Sequence, residues 1–357
     1  MKNKKSHRSL KLSSQHRYRE YFMPQIGNGK IAAELRGIKP NLNNRKGIEM
    51  SFGWIFAIIA GAVLIFLAIY SASKLIDSSK TIQDSQLGKQ LGTILSPMET
   101  GLESGKISKI ALPGETELFN DCDKNSGTFG AQKISVSSKS GFKDTQSPGA
   151  QSTFHNKYLF SSDSVKGKNY LAFSKPLKMP FKIGDLIYLW SENDNFCFVN
   201  PPKEIEDEIN NLKIESINVT SSKCSKGTNI CFVTSGCDID VILDSSGEIR
   251  GSLKRKYSQR VYFSNSALFY GAVFSSVDTY ECHVKRLLKR ASELSLIYRQ
   301  ESELLGSRGC VSSTLSISLE AYSQKAFLAN SSQDLLSLNY LNEQLAEVNN
   351  DLLCKLF

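Results

Sequence analysis

Eight cysteines carry the clearest chemistry in this 357-residue chain, and none precedes position 122. In an oxidising compartment, an even number of thiols pairs into disulfides. Zinc binding, with Cys282 and His283 as further ligands, and free thiols are the alternatives. However, the chain has no Cys-x-x-Cys pair, and the intervals between Cys224, Cys231 and Cys237 fit no common zinc site. The pattern favours four disulfides among Cys122, Cys197, Cys224, Cys231, Cys237, Cys282, Cys310 and Cys354.

The spacing of the cysteines indicates partners only in part. Cys224 and Cys231 flank a run with Gly227 and Asn229, which suits a tight turn. We therefore expect a bridge across a β-hairpin, with Cys237 near enough to compete for either partner. The other expectations are a long-range pair between Cys122 and Cys197, and a bridge that joins Cys310 or Cys354 to Cys282 or to each other.

The sequence lacks the common motifs of catalytic and cofactor sites. It has no Gly-x-Ser-x-Gly, His-Glu-x-x-His or Gly-x-Gly-x-x-Gly motif. The run from Gly101 to Ile107 approaches a phosphate-binding loop, but its glycines are one residue too close, and Ile107 replaces the Ser or Thr that reaches Mg²⁺. No catalytic, cofactor-binding or metal-binding residue is nominated, which favours a non-catalytic protein.

Two tripeptides match the acceptor sequence for N-glycosylation. They are Asn218-Val-Thr and Asn330-Ser-Ser. Such tripeptides also arise by chance, and Asn330 has a second interpretation as part of the cap of the helix that follows it. The sequence leaves both interpretations open.

A single segment determines how these residues are placed relative to a membrane. Residues 50–73 contain no charged side chain and would form a helix of about 36 Å, enough to cross a hydrocarbon core of about 30 Å. Trp54 and Tyr70 lie near its ends, where aromatic rings favour the interface. Small residues at Gly53, Ala57 and Gly61 share one face, which predicts self-association into a homo-oligomer.

The charge distribution predicts the orientation of this span. Residues 1–49 carry twelve Lys and Arg against three acidic residues, whereas the rest of the chain has 32 of each sign. The basic side of a span faces the cytoplasm, so we expect a flexible cytoplasmic tail and an extracytoplasmic body. The neutral body excludes a broad nucleic-acid-binding face and leaves the lipid bilayer and other envelope proteins as partners.

The remaining chain predicts an α+β fold. Residues 74–98 are expected to continue the membrane helix as an amphipathic stalk, which Gly88 and Gly92 weaken. Residues 99–265 alternate short β-type runs with turn residues, which indicates a β-rich extracytoplasmic domain. Residues 266–357 change to helical spacing and predict a packet of two to three helices.

The helical packet is predicted from two apolar seams with alternating intervals of four and three residues. A shorter helix around residues 315–328 lies between them. The first seam comprises Val273, Val277, Tyr280, Val284, Leu287, Ala291, Leu294, Tyr298 and Leu305. The second comprises Leu338, Leu341, Leu345, Val348 and Leu352.

The region before the span resembles a known family. The sequence Arg45-Lys46-Gly47-Ile48-Glu49, followed by the apolar helix, is similar to the processing region of archaeal type IV pilins. The resemblance implies cleavage between Gly47 and Ile48 and assembly through the N-terminal helix. The composition also resembles that of membrane-anchored archaeal proteins, a similarity that implies no activity.

These observations together favour a non-catalytic, single-pass protein of the cell membrane. Its N-terminus is expected in the cytoplasm, and its disulfide-braced body is expected to act at the cell surface in adhesion or envelope assembly. The signal-anchor would be retained. A pilin-like subunit cleaved after Gly47 is the second interpretation, and an envelope enzyme or solute-binding receptor is the third.

Overall fold

The structure is a computed structural model that describes residues 52–102, 105–139, 148–244, 249–309 and 313–357. The chain is divided into two compact units, Met1–Val63 and Leu64–Phe357. The described residues form an N-terminal apolar helix, β-sheets in the middle and helices at the C-terminal end. The predicted α+β class is therefore confirmed.

The predicted span and stalk belong to one unbroken helix, α1, which extends over Phe52–Ile94. A single turn of helix, α2 (Ser96–Glu99), follows it and has Pro97 in its first turn, where a missing N–H costs nothing. Gly88 and Gly92 do not interrupt α1, so their effect on helix propensity is overcome by tertiary contacts.

The first β-sheet contains six strands in the order β3-β2-β1-β5-β6-β4. Its neighbours are antiparallel except for β4, which runs parallel to β6. The register between β1 and β5 shifts after Ala111, where Pro113 and Gly114 follow, as expected of a bulge. The strands are β1 (Ile107–Asp123), β2 (Ala131–Ser138), β3 (Ser152–Phe154), β4 (Leu159–Phe160), β5 (Ser164–Lys178) and β6 (Lys182–Ser191).

The first sheet is covered on both faces because its central strands are apolar at successive positions. In β5, Tyr170 and Ala172 belong to one hydrophobic cluster, which also contains residues from the end of α1 and from α2. Leu171 and Phe173 belong to the other, larger cluster, which extends into the second sheet and the C-terminal helices. Alternate side chains of a strand point to opposite faces, so this sheet separates two cores.

The second sheet has the strand order β12-β11-β10-β9-β7-β8. Strands β8, β7, β9 and β10 are parallel neighbours, whereas β10, β11 and β12 form an antiparallel meander. Helix α3 (Lys203–Leu212) connects β7 to β8. The strands are β7 (Phe196–Val199), β8 (Ile217–Thr220), β9 (Thr228–Cys231), β10 (Ile239–Leu243), β11 (Gly251–Arg255) and β12 (Arg260–Phe263).

The described residues after position 265 form four α-helices, one more than the largest number expected. The sequence predicts a single helix through Val273 and Val277, but the chain is extended at Ser275 and Ser276. Asn265 and Ser276 each accept a hydrogen bond from the backbone of the turn that follows, so both helices begin with a side-chain cap. The helices are α4 (Ser266–Phe274), α5 (Val277–Gly306), α6 (Ser313–Leu328) and α7 (Leu335–Asn350), with a 3₁₀ turn at Ser332–Asp334.

The apolar seams of α5 and α7 face the larger hydrophobic core. Leu287 on α5 is buried, and Leu294 packs partly buried against the same cluster. On α7, Leu338 and Leu345 are buried as well. Helix α4 is apolar on every side, and its residues 267–274 are all buried, as expected of a helix inside a core.

Three disulfides join pairs of described residues, and they correct two of the expected pairings. Cys122 pairs with Cys282, not with Cys197. Cys224 and Cys231 do not bridge a hairpin, because β8 and β9 lie on opposite sides of β7. The observed partners are Cys197 with Cys224 and Cys231 with Cys237, and the second bond is the alternative in which Cys237 competes for Cys231.

The last two cysteines have separate outcomes. Cys354 is disulfide-bonded. Cys310 lies outside the described residues. Because Cys282 is paired with Cys122, the alternative in which Cys310 or Cys354 is joined to Cys282 is wrong, whereas the alternative in which Cys310 and Cys354 pair with each other stays a prediction.

Candidate functional site

The first part of α1 is an apolar surface without a partner among the described residues. Residues 52–73 are exposed, apart from half-buried Ala60 and Gly61. The helix is long and apolar enough to cross a membrane, and none of its most apolar stretch is buried. At its end, the ammonium of Lys74 lies 5.9 Å from the ring centroid of Tyr70.

The small residues predicted to associate two helices lie on this surface. Gly53 and Ala57 are exposed, and a Cβ atom added at Gly61 would meet no atom within 4 Å. The predicted contact with a second helix therefore stays a prediction. The predicted processing site, Gly47 and Ile48, lies outside the described residues.

The last part of α1 is fixed to the first sheet by a buried carboxylate. The side chain of Asp84 is 1% exposed, and its Oδ1 accepts hydrogen bonds from the backbone N–H of Ser138 at 3.0 Å and from its hydroxyl at 2.5 Å. One residue later, the Ser85 hydroxyl accepts the N–H of Ala150 at 2.8 Å. A buried charge requires such partners, so they position the helix.

Two glycines on the same face as Asp84 allow the helix to approach the sheet closely. A Cβ at Gly92 would meet the ring of Phe154 at 2.1 Å, which is too close for any real contact. A Cβ at Gly88 would meet its nearest neighbour, the Ser152 hydroxyl, at an ordinary 3.6 Å. The sequence analysis considered only the low helix propensity of these glycines and did not predict that they form the helix–sheet contact. We call this contact, made by Asp84, Gly88, Leu91, Gly92 and Leu95, the dock.

An ion pair extends the dock to α2. The ammonium of Lys157, which is almost fully buried, contacts the Glu99 carboxylate and lies 5.2 Å from the ring centroid of Phe154. Burial lowers the pKa of Lys157 to about 8, which leaves the group mostly protonated at neutral pH. The pair therefore attaches α2 to the segment that precedes β4.

On the other side of the same segment lies a fully buried guanidinium. Arg286 of α5 is 0% exposed, and it donates to the backbone carbonyls of Phe129, Lys157 and His155 at 2.9–3.1 Å. Its guanidinium carbon lies 4.7 Å from the centroid of the Tyr158 ring. Burial lowers the pKa of Arg286 to about 10, so the group is charged at every physiological pH.

His283, one turn before Arg286, adds a further hydrogen bond between α5 and the segment of residues 155–159. Its Nδ1 lies 3.1 Å from a guanidinium nitrogen of Arg286. Because a guanidinium can only donate, Nδ1 is the acceptor of this hydrogen bond. The ring proton is therefore on Nε2, which donates to the Leu159 carbonyl at 3.0 Å. Burial, followed by the positive charge of Arg286, lowers the pKa of His283 well below its usual value. The imidazole is therefore neutral and acts as a structural hydrogen-bonding group.

The disulfide between Cys122 and Cys282 lies against this cluster. The Cys122 sulfur is 3.7 Å from Nδ1 of His283. We call Arg286, His283, Cys282 and their acceptors in residues 155–159 the clasp. Sequence reasoning identified Cys282 and His283 but did not identify Arg286, because an arginine beside an apolar helical seam ordinarily points to solvent. Arg286 follows His283 by three residues, and this spacing is the one signal in the sequence that places the two side chains on the same helix face.

A polar cleft of about 520 Å³ lies where α4 ends. Its lining includes Lys166, Asp194, Arg255 and Phe274. Burial raises the pKa of Asp194, whose carboxylate accepts the N–H of Ser191 at 3.2 Å. The guanidinium of Arg255 donates to carbonyls at the end of α4, so it neutralises that helix terminus.

The other candidate residues are distributed over the surface. Asn218 is exposed on β8, and Asn330 is exposed after α6. Among the described residues, no group of three or more His, Cys, Asp or Glu side chains is placed to hold a metal ion. Comparison of the chain with protein families, with curated proteins and with solved structures found no match.

The dock gives a matched pair of predictions. Gly92→Ala should lower the free energy of unfolding by about 1–3 kcal/mol, because the new methyl group overlaps the Phe154 ring. Gly88→Ala should leave it unchanged or raise it by up to about 1 kcal/mol, because alanine favours the helix and the new methyl group meets its neighbours at ordinary contact distances. Denaturation of the full chain in detergent measures both changes. Equal effects of the two substitutions would contradict the described helix–sheet contact.

The clasp gives a prediction about pH. Because the pKa of His283 is depressed in the folded state, the unfolded chain binds an extra proton below its own pKa of about 6.5, and stability falls as the pH is lowered. The loss should approach about 1.4 kcal/mol per pH unit from this residue alone. His283→Gln, which retains a donor and an acceptor, should remove that part of the slope between about pH 7 and pH 5. Identical slopes in unfolding experiments on the two proteins would show that His283 does not titrate on unfolding.

Proposed function

We propose that the chain is a membrane-anchored, non-catalytic protein that holds a disulfide-braced domain at the outer surface of the cell. The observation that carries the proposal is α1, which is apolar and exposed at its beginning and fixed to the first sheet by the dock at its end. A single helix thus supplies both a membrane-compatible segment and, at its end, a buried contact with the first sheet.

The exterior location is supported by two independent features. Three disulfides connect described residues, and such bonds persist in oxidising compartments. The excess of Lys and Arg lies before the apolar segment, which favours a cytoplasmic N-terminus. Neither feature depends on the other.

A role in adhesion or envelope assembly is supported by the surface of the terminal helices. Leu336 and Tyr340 are exposed one turn apart on α7, and Ile317 and Leu328 are exposed on α6. Apolar side chains of this size can contact another envelope protein. The clasp fixes α5 in the domain whose surface carries these four apolar side chains.

A pilin-like subunit is the second candidate. It is supported by the unbroken course of α1 over 43 residues, with an apolar exposed beginning and a docked end. In this interpretation the chain is cleaved between Gly47 and Ile48, and the exposed apolar helices of several copies pack together.

The orientation can be tested by thiol labelling in intact cells. Ser13→Cys should react with a membrane-impermeant reagent only after the cells are permeabilised, because residue 13 is expected in the cytoplasm. The matched control is Tyr257→Cys, since Tyr257 is 94% exposed in the domain, and it should react before permeabilisation. The reverse pattern would contradict the proposed orientation.

The two candidates differ in the mass of the mature protein. A retained anchor predicts an intact mass that includes residues 1–47, whereas the pilin-like subunit begins at Ile48. We expect the complete chain. A measured N-terminus at Ile48 would replace the first proposal by the second.

A further inference from the structure

We propose that Asn218 accepts an N-linked glycan in the folded protein and that Asn330, which has the same acceptor tripeptide, does not. The inference rests on the exterior location proposed above. It separates two sites that the sequence leaves equivalent, and it follows from what each asparagine and each hydroxyl contacts.

The Asn218 tripeptide lies on an accessible strand at the edge of the second sheet. The Asn218 side chain is exposed and makes no hydrogen bond with any described residue. Strand β8 is outermost in the sheet and pairs only with β7 among the described strands. The Thr220 hydroxyl is half-exposed and accepts the N–H of Ser222 at 3.2 Å, which leaves its own proton free of described acceptors.

In the Asn330 tripeptide, the asparagine side chain and the serine hydroxyl both make hydrogen bonds with other residues of the domain. The Asn330 amide oxygen accepts from Lys285 at 2.9 Å, and its nitrogen donates to the Leu328 carbonyl at 3.1 Å. The Ser332 hydroxyl donates to Glu281 at 2.5 Å and accepts the N–H of Tyr262 at 2.9 Å. Ser332 is 1% exposed, so a transferase cannot reach it without local unfolding.

The chemistry of the transfer explains why both positions must be free. The Asn218 amide nitrogen forms a bond to the anomeric carbon of a lipid-linked oligosaccharide, while the bond from that carbon to the diphosphate oxygen breaks. The lipid diphosphate leaves with the electron pair, and the amide loses one proton to a base. The Thr220 hydroxyl has to be available to the transferase that supplies the sugar.

A glycan at this position covers an exposed sheet edge. An outer strand presents unpaired backbone groups that can pair with a strand of another chain. A bulky, hydrated sugar on β8 hinders such pairing without entering the core, because Asn218 points away from it. The modification therefore keeps this edge of the domain soluble.

The test compares folded and unfolded protein. The purified full chain in detergent, with its disulfides intact, is incubated with a single-subunit oligosaccharyltransferase that accepts Asn-x-Ser/Thr and with its lipid-linked oligosaccharide. Mass spectrometry of peptides should show modification at Asn218 in the folded chain. Modification at Asn330 should fall at least about tenfold relative to a reduced, denatured sample, in which both sites are free.

Variants identify the reacting groups. Asn218→Gln and Thr220→Ala should abolish the modification of the folded chain, whereas Thr220→Ser and Asn330→Gln should leave it in place. None of the three substituted positions belongs to the dock or to the clasp. No modification of folded protein at Asn218, or equal modification at Asn218 and Asn330, would overturn the inference.

The location is tested separately in cells whose secretory pathway glycosylates proteins. Val233→Asn creates a new acceptor tripeptide with Thr234 and Ser235, in which all three positions are exposed and the Ser235 hydroxyl makes no hydrogen bond with a described residue. Modification of this variant shows that the domain enters the secretory compartment, and its absence would contradict the proposed function. If the new site is modified and Asn218 is not, the location is supported and the inference about Asn218 fails.

Discussion

A guanidinium without exposed surface has to find all of its hydrogen-bond acceptors inside the protein. Arg286 finds them in three backbone carbonyls and one imidazole, with no carboxylate among them. Because a buried charge that loses its partners costs several kcal/mol, α5 can occupy its position only if the chain at Phe129 and at residues 155–159 is already in place. The arrangement of helices against the first sheet depends on this constraint.

The segment of residues 155–159 is held from two directions. Its carbonyls accept from α5, whereas the Lys157 side chain reaches the opposite core and contacts Glu99 of α2. Within the unit of residues 64–357, the end of α1 is thereby connected to the long helix α5 through the backbone of residues 155–159. This connection couples the position of the docked end of α1 to that of α5 inside the unit.

Local sequence patterns predicted most helices of this fold, whereas the packing contacts and the disulfide partners depend on residues that are distant in sequence. The apolar run in α1 and the seams of α5 and α7 depend on residues close in sequence, so their helices could be predicted. The break at Ser275 and Ser276 was missed because Val273 continues the same spacing by coincidence. The role of Gly92 could not be read, because its partner Phe154 is distant in sequence. The cysteine partners follow strand order, which spacing does not encode.

The bond between Cys122 and Cys282 also has a mechanical consequence. It joins two positions 160 residues apart, a stretch whose contour length when fully extended is roughly 540 Å. When tension acts between α1 and the C-terminal helices, the load passes from β1 to α5 through a covalent bond. The enclosed strands β2 to β12 and helices α3 and α4 are thereby shielded from the pulling force, and the domain cannot lengthen by unravelling them.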